Sequence, residues 1–210
     1  MPSSREKIKF DGIEHIDIMG WSDRARGQQA TTYTITLLGD PGGGKTSLKK
    51  RFIGKEFDAN EKITVGADFS FHYEVADLPD IRLKICDVAG QRSFATVRKS
   101  YFTNTDAALL IFDLTNARSL ANTHQWLKEF ISANKHVGKP PVLLVGNKSD
   151  LELDRKVNLK QVKNFLKLLE KDQHAAGKIV GYIETSAKTG TNVKQSFLKL
   201  TDAIKDSTRS

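Results

Sequence analysis

The chain of 210 residues carries 33 lysines and arginines against 25 acidic residues, a formal net charge of +8, and 39% of its residues are hydrophobic. These values suit one sizeable globular domain, and no apolar run approaches the roughly 18 residues of a membrane-spanning helix. Cys86 is the only cysteine, which excludes an internal disulfide and predicts a reducing, cytoplasmic location.

The N-terminal 30 residues are the least informative part of the chain, with five basic and five acidic side chains. Their alternating apolar residues are typical of short strands, but the stretch after residue 20 is polar, so a short hairpin and a flexible extension both fit. We predict an N-terminal extension over 1–30, one domain over 31–205 and a C-terminal tail over 206–210.

Short apolar runs then alternate with amphipathic ones. Nearly continuous apolar runs, typical of strands covered on both faces, occur at 33–38, 107–114, 141–147 and 178–186. Helical patterns occur at 45–53, 118–134, 159–174 and 192–205. Capping boxes are predicted from the spacing of Asn158 with Gln161 and of Asn192 with Gln195.

Two further strands are predicted to form a hairpin. Residues 68–75 and 81–88 each alternate apolar and polar side chains, and Leu78-Pro79-Asp80 predicts the turn between them. The whole pattern predicts an α/β fold: a doubly wound, mostly parallel sheet of six strands, with one antiparallel edge strand and helices on both faces.

Residues 39–47 read GDPGGGKTS and match the phosphate-binding pattern G-x-x-x-x-G-K-[ST] between a strand and a helix. Glycines let successive backbone N–H groups curve around phosphate oxygens, Lys45 supplies charge to the outer phosphates, and the Thr46 hydroxyl can bind Mg²⁺. Pro41 has no N–H to offer, so we expect it at the outer bend, where it stiffens the loop and obstructs an arginine approaching from outside. The predicted phosphate-binding residues are Gly42, Gly43, Gly44, Lys45, Thr46 and Ser47.

Asp87 closes the strand 81–88, shortly before Gly90. An aspartate at the end of a strand beside a phosphate loop holds Mg²⁺, usually through water. Because Asp87 follows Lys45 and Thr46 in the right order, we predict a magnesium site formed by Thr46 and Asp87.

Two later segments, GNKSD at 146–150 and ETSAK at 184–188, follow strands. They are expected at the carboxyl ends of those strands, where open α/β sheets bind ligands. A carboxylate accepts from both N1–H and the N2 amino group of guanine, and adenine offers no such pair of donors. Asp150 is therefore the candidate for recognising guanine.

The ordered set GDPGGGKT, Thr64, DVAGQ, NKSD and TSAK resembles the small GTPases of the Ras superfamily, over about 33–205. VGADF at 65–69, DVAGQRSF at 87–94 and SYF at 100–102 are most similar to the Rab branch. The resemblance implies a P-loop G domain that binds GTP or GDP with Mg²⁺. It also implies slow hydrolysis of GTP to GDP and phosphate, an activating protein that accelerates it, and a conformational switch that effectors recognise.

The resemblance implies a role for each matching residue. Thr64 would join the metal only with GTP bound, the Gly90 N–H would sense the γ-phosphate, and Gln91 would orient the attacking water, with Lys45 completing the catalytic set. Phe57, seven residues before Thr64, would cap the base, although a plain core contact is also open. The other residues implied to hold guanine are Asn147, Lys148, Asp150, Ser186, Ala187 and Lys188.

Several positions depart from the family pattern. Pro41 stands where Ras has glycine and Rab proteins commonly have serine. The exposed aromatic trio that meets Rab effectors corresponds here to Phe69, Cys86 and Tyr101, so its tryptophan is missing. The last residues, KDSTRS, offer no thiol for prenylation; no covalent lipid anchor is expected, and peripheral membrane contact stays open.

Two other functions also fit parts of the sequence pattern. One is a GTP-binding interaction module with negligible hydrolysis, and another is a P-loop protein that uses ATP. A lysine stripe at 160, 163, 167 and 171 fits a solvated helix face, with an anionic partner or membrane surface as the alternative. Net charge alone does not predict a nucleic-acid partner.

Overall fold

The computed structural model describes residues 30–59, 67–75, 78–88, 102–103, 105–134, 140–172 and 179–208. Its strands are β1 Thr31–Leu38, β2 Ala67–Val75, β3 Leu78–Val88, β4 Ala107–Asp113, β5 Val142–Asn147 and β6 Ile179–Glu184. Its helices are α1 Lys45–Phe52, α2 Ala117–Ala133, α3 Leu159–Lys171 and α4 Val193–Thr208, with a short 3₁₀ helix at Glu152–Asp154.

The six strands form one sheet in the order β2-β3-β1-β4-β5-β6. All neighbouring strands are parallel except β2, which pairs antiparallel with β3 at the edge. Every residue of β4 and β5 is buried, as expected for strands covered on both faces. The predicted mixed sheet with one antiparallel edge strand is confirmed.

Helices pack on both faces of the sheet and form two hydrophobic cores. On one face, Trp126, Leu127 and Phe130 of α2 pack with side chains of β4 and α3. On the other, Leu48 of α1 and Phe197 of α4 pack with side chains of β1, β3, β4 and β5. The loops that follow the parallel strands therefore meet at one edge of a sheet that is fixed from both sides.

The turn predicted at Leu78-Pro79-Asp80 is wrong. Strand β3 already begins at Leu78, which pairs with Val75 of β2, while its pairing with β1 starts only at Ile81. Proline cannot donate to a strand ladder, but it is tolerated at the start of a strand. Pro79 lies in that first stretch, before β1 adds a second neighbour.

One of the two predicted capping boxes is present. Gln161 N donates to Asn158 Oδ1 at 3.0 Å, and Asn158 N donates to Gln161 Oε1 at 2.8 Å, which fixes the start of α3. Asn192 instead adopts a left-handed φ of 54°, and its Nδ2 donates to the carbonyl of Glu184 at 2.9 Å. The prediction of a box there is wrong because Asn192 ties the start of α4 to the end of β6.

Candidate functional site

The glycine-rich loop after β1 is shaped by backbone that only glycine tolerates. At Gly39, φ is 136° and an added Cβ would lie 2.0 Å from the carbonyl oxygen of Ile111. At Gly44, φ is 87° and the added Cβ would lie 2.2 Å from Nδ2 of Asn147. The close approach of β4 and Asn147 to the loop therefore requires these glycines. Pro41 lies in the turn between Gly39 and Gly44 and is exposed, at the outer position predicted for it.

Lys45 is the first residue of α1 and its side chain turns back into the loop. Its Nζ donates to the carbonyl oxygens of Gly39 and Asp40, each at 2.9 Å, and the residue is only 6% exposed. Gly44 is the N-cap residue and has no side chain that could bond to the first turn. The backbone N–H groups at the start of α1 therefore point toward the loop. A buried ammonium beside a helix N-terminus favours an anion such as phosphate.

Thr46 and Asp87 are brought together as predicted for a metal site. Thr46 Oγ1 donates to Asp87 Oδ2 at 2.5 Å, and Lys49 Nζ lies 3.9 Å from the same oxygen. Asp87 is completely buried. A hydroxyl and one carboxylate form the hard oxygen set that Mg²⁺ takes from protein when phosphates supply further ligands. Within the described ranges there is no group of three or more His, Cys, Asp or Glu that could hold a metal.

Asn147, at the end of β5, connects three loops. Its Nδ2 donates to the carbonyl of Gly43 at 3.0 Å, and its Oδ1 accepts from Thr185 Oγ1 at 3.2 Å and from Ala187 N at 3.3 Å. This buried amide joins the predicted phosphate loop to the loop after β6. The segments predicted to bind phosphates and base thus belong to one site.

Asp150 and Ser186 also meet. Ser186 Oγ donates to Asp150 Oδ1 at 2.5 Å and accepts from Thr189 N at 3.1 Å. Ser186 is buried whereas Asp150 is exposed. The hydroxyl therefore orients a carboxylate that remains accessible at the surface, as a guanine-binding aspartate must be.

Lys148 forms an ion pair that the sequence reasoning missed. Its Nζ lies 2.6 Å from Asp113 Oδ2, and Asp113 Oδ1 accepts from the N–H and the hydroxyl of Thr115 at 2.8 and 2.7 Å. Lys148 has a left-handed φ of 68°, which is uncommon for a residue with a side chain and concentrates at functional sites. The sequence signal that could have identified Asp113 is an acidic residue at the end of a continuous apolar strand. The same signal identified Asp87.

A second group that the sequence reasoning missed lies where β6 leads into this site. Arg155 donates to both carboxylate oxygens of Glu184 at 3.1 and 2.9 Å, and Tyr182 Oη donates to Glu184 Oε1 at 2.9 Å. Burial would raise the pKa of Glu184, but the hydrogen bonds from Arg155 and Tyr182 outweigh it and leave the pKa below its ordinary value. Burial, and then the bond to Glu184, raises the pKa of Tyr182. These bonds hold the end of β6 in place, and the loop that follows it carries Ser186 and Ala187.

Phe57 is 39% exposed and belongs to neither core cluster. The alternative prediction, that Phe57 makes only a core contact, is therefore wrong. An exposed aromatic face in the segment after α1 is compatible with stacking on a planar base.

Cys86 is placed differently from the expectation. It is only 4% exposed, and burial raises the pKa of its thiol. It lies within β3, paired on one side with Thr36 of β1 and on the other with Phe69 of β2. Its proposed place on an exposed effector surface is wrong, because an interior sheet position hides the side chain.

The remaining predicted residues divide into two groups. Ala187 is buried and Lys188 exposed just after β6, and Ser47 lies in the first turn of α1. Outside the described residues or their side chains lie Thr64, Phe69, Gly90, Gln91, Tyr101 and the N-terminal extension.

Comparison with known proteins gives a consistent result. The model of the Ras family matches residues 34–206. The chain is 35% identical over 175 residues to the GTP-binding protein YPTM2 of Zea mays, an alignment that covers 83% of this chain and 80% of the maize protein. It is 34% identical over 209 residues to the Ras and EF-hand domain-containing protein homolog of Mus musculus, covering 99% of this chain. The chain spans only 32% of that mouse protein's length.

Proposed function

Because the chain belongs to the Ras family, we propose that it is a GTPase switch that binds GTP and GDP with Mg²⁺ and hydrolyses GTP to GDP and phosphate. The observation that carries the proposal is the position of Asn147, whose side chain bonds Gly43 and Ala187 together. One ligand can therefore meet the phosphate loop and the guanine-binding loops at once.

The phosphate end would be held by the loop backbone, the N-terminus of α1 and Lys45. The Lys45 ammonium already rests on two loop carbonyls, so little reorganisation is needed when phosphate oxygens arrive. Thr46 and Asp87 would hold Mg²⁺, and Thr64 would join them when GTP is bound. The bound ion would neutralise charge on the β- and γ-phosphate oxygens.

Hydrolysis would proceed by in-line attack of water on the γ-phosphorus. The bond from that phosphorus to the bridging oxygen of GDP breaks, and the water's proton passes to the released phosphate. Gln91 would orient the water and Gly90 would donate its N–H to the γ-phosphate; both assignments rest on the family resemblance. Intrinsic turnover of such proteins is slow, on the order of 10⁻⁴ to 10⁻² s⁻¹, so an activating protein is part of the proposal.

Partners follow from the switch. An exchange factor, an activating protein and effectors would act on the protein in a Rab-like role in the cytoplasm, with peripheral rather than membrane-spanning contact. None of the helices in the described part of the chain is long and apolar enough to cross a bilayer. The exposed Asp150, oriented by Ser186, favours guanine over the ATP-using alternative.

The test is single-turnover phosphate release from GTP, measured for the wild type and for Gln91→Leu. We expect the wild type to release phosphate at least about tenfold faster, the scale of losing one transition-state contact. Mass analysis of the nucleotide released from the denatured protein establishes guanine occupancy independently. If both proteins bind GTP but neither releases phosphate, even with candidate activating proteins, the chain is instead a GTP-binding interaction module with negligible hydrolysis.

A further inference from the structure

Asp40, the second residue of the phosphate loop, is held from two sides. Its carboxylate accepts from Asn122 Nδ2 at 2.7 Å and from Trp126 Nε1 at 2.8 Å. Its main-chain carbonyl accepts from Lys45 Nζ at 2.9 Å and from Gly43 N at 3.3 Å. One residue thus connects α2 to the ammonium predicted to serve the phosphates.

The two donors on α2 are well placed to hold this carboxylate. Asn122 and Trp126 are four residues apart, so they lie on one face of the helix, one turn from each other. Trp126 is only 8% exposed and packs in the core cluster with Leu127 and Phe130. Its ring therefore cannot readily move, and its N–H is a fixed polar group at the edge of the core.

The same helix also reaches the base end of the site. Ser119, in its first turn, accepts a hydrogen bond from the N–H of Asp113 at 3.0 Å, and the Asp113 carboxylate pairs with Lys148. Helix α2 therefore contacts the phosphate loop through Asp40 and the guanine-recognition segment through Asp113. It relates the two ends of the site through one rigid element.

The charge of Asp40 makes its position important. A carboxylate on a phosphate loop repels phosphate. Asp40 also binds the Lys45 ammonium through its main-chain carbonyl. If it were not held by α2, it could turn toward the ammonium and compete with the phosphates for it. The two donors keep the negative charge on the side of the loop that faces α2.

We propose that Trp126 and Asn122 are positioning residues for nucleotide phosphates, acting through Asp40 on the phosphate loop and Lys45. The proposal rests on the proposed binding of guanine nucleotide. It adds a specific consequence: weakening the contact between α2 and the loop speeds loss of GDP without altering recognition of the base.

The first test is Trp126→Phe, which removes the indole donor and keeps an aromatic ring in the core. Dissociation of a fluorescent GDP analogue should become about tenfold faster, the scale of a hydrogen bond to a charged group. Competition by GMP, which lacks the β-phosphate, should be unchanged. Gln125→Ala, at an exposed position of the same helix, is the matched control and should leave both values at wild type.

The second test is a rescue. Asn122→Asp sets two carboxylates against each other and should accelerate GDP loss at least as strongly as Trp126→Phe. Adding Asp40→Asn to it restores one amide and one carboxylate with their places exchanged, and should return the rate to within about threefold of wild type. Rescue would show that the effect of Asn122→Asp passes through Asp40, because an effect through any other neighbour would be left uncorrected by Asp40→Asn.

A spectroscopic measurement reports on the contact itself. The chain has two tryptophans, so Trp126→Phe assigns the Trp126 indole N–H signal in a nitrogen–proton NMR spectrum. Asp40→Ala should shift that signal upfield as the carboxylate is lost. Because it also removes the charge that would compete for Lys45, it should speed GDP dissociation less than Trp126→Phe does.

The outcomes separate this inference from the proposed function. If the wild type binds GDP while Trp126→Phe and Asn122→Asp keep its dissociation rate, the positioning role is wrong and the proposed binding of guanine nucleotide stands. If the variants lose GDP and GMP affinity equally, they damage the whole site and the role is again wrong. If the wild type binds no guanine nucleotide, the proposed function itself has failed.

Discussion

At the scale of single residues, Asn147 shows how a buried amide organises a site assembled from distant segments. Its amide N–H donates to one loop and its amide oxygen accepts from another. A carboxylate, hydroxyl or ammonium group in its place could not do both with the same geometry. A Cβ added at Gly44 would lie 2.2 Å from Asn147 Nδ2, so no larger residue fits at that position of the phosphate loop. Asn147 thus positions both ends of the proposed nucleotide site.

Asp150→Asn tests base recognition at the same scale. The amide can no longer accept two hydrogen bonds from guanine, but it can pair with xanthine, which offers a carbonyl oxygen where guanine has its amino group. We expect GTP affinity to fall at least about tenfold and preference to shift to xanthosine triphosphate, measured by competition against a fluorescent nucleotide.

The matched control for this prediction is Asp154→Asn, an exposed aspartate four residues further along. It should leave the affinity for both nucleotides unchanged. Unaltered GTP affinity in Asp150→Asn, with a normally folded protein, would remove Asp150 from the site.

The residues that sequence reasoning missed lie outside the recognised motifs. Asp113, Arg155 and Tyr182 contribute through pairing with Lys148 and Glu184, and those contacts depend on strand register and loop path. Motif residues could be predicted from the sequence because phosphate and guanine demand specific groups at specific spacings. Supporting residues meet no such demand, so their positions become clear only with the fold.

At the scale of elements, the parallel strands were predictable because both of their faces are buried. β4 and β5 carry continuous apolar runs that admit few other structures. The start of β3 was not predictable, because the local turn preference of Leu78-Pro79-Asp80 was overridden by pairing with Val75. At Asn192, likewise, a distant partner, the carbonyl of Glu184, outcompetes the local capping pattern.

The basic face of α3 gives a prediction at this scale. All four of its lysines are exposed, Val162 and Leu169 point into the core, and Leu168 is 65% exposed beside the lysines. Long cationic side chains with an adjacent leucine suit contact with an anionic lipid surface. We expect binding to phosphatidylserine-containing vesicles in co-sedimentation at low salt.

The double variant Lys163→Gln with Lys167→Gln should lower vesicle binding about thirtyfold, on the basis of about 1 kcal/mol per lysine. Its control is Lys194→Gln with Lys199→Gln on α4, which removes the same charge from exposed positions elsewhere. Equal losses in the two doubles would mean that only net charge matters and that the α3 stripe is a solvated face.

At the scale of the whole molecule, the proposed ligand joins loops that different halves of the sheet support. The phosphate loop follows β1 and precedes α1, on one core cluster, while the base segments follow β5 and β6. A nucleotide that contacts all of them binds only when the strands are correctly assembled. Its binding free energy therefore adds to the free energy of unfolding of the entire domain.

Removal and return of ligand test this coupling. After nucleotide is removed with EDTA and phosphatase, adding GDP with Mg²⁺ at about 100 times its Kd should stabilise the protein by about 2.7 kcal/mol, which raises Tm by roughly 5–10 °C for a domain of this size. Adding GDP with excess EDTA should give a smaller rise, because Thr46 and Asp87 then have no ion to hold against the phosphates. ATP with Mg²⁺ at the same concentration should give none, since Asp150 finds no paired donors on adenine. Equal stabilisation by ATP and GDP would mean that phosphate contacts alone hold the ligand, and that the loops after β5 and β6 take no part in the coupling.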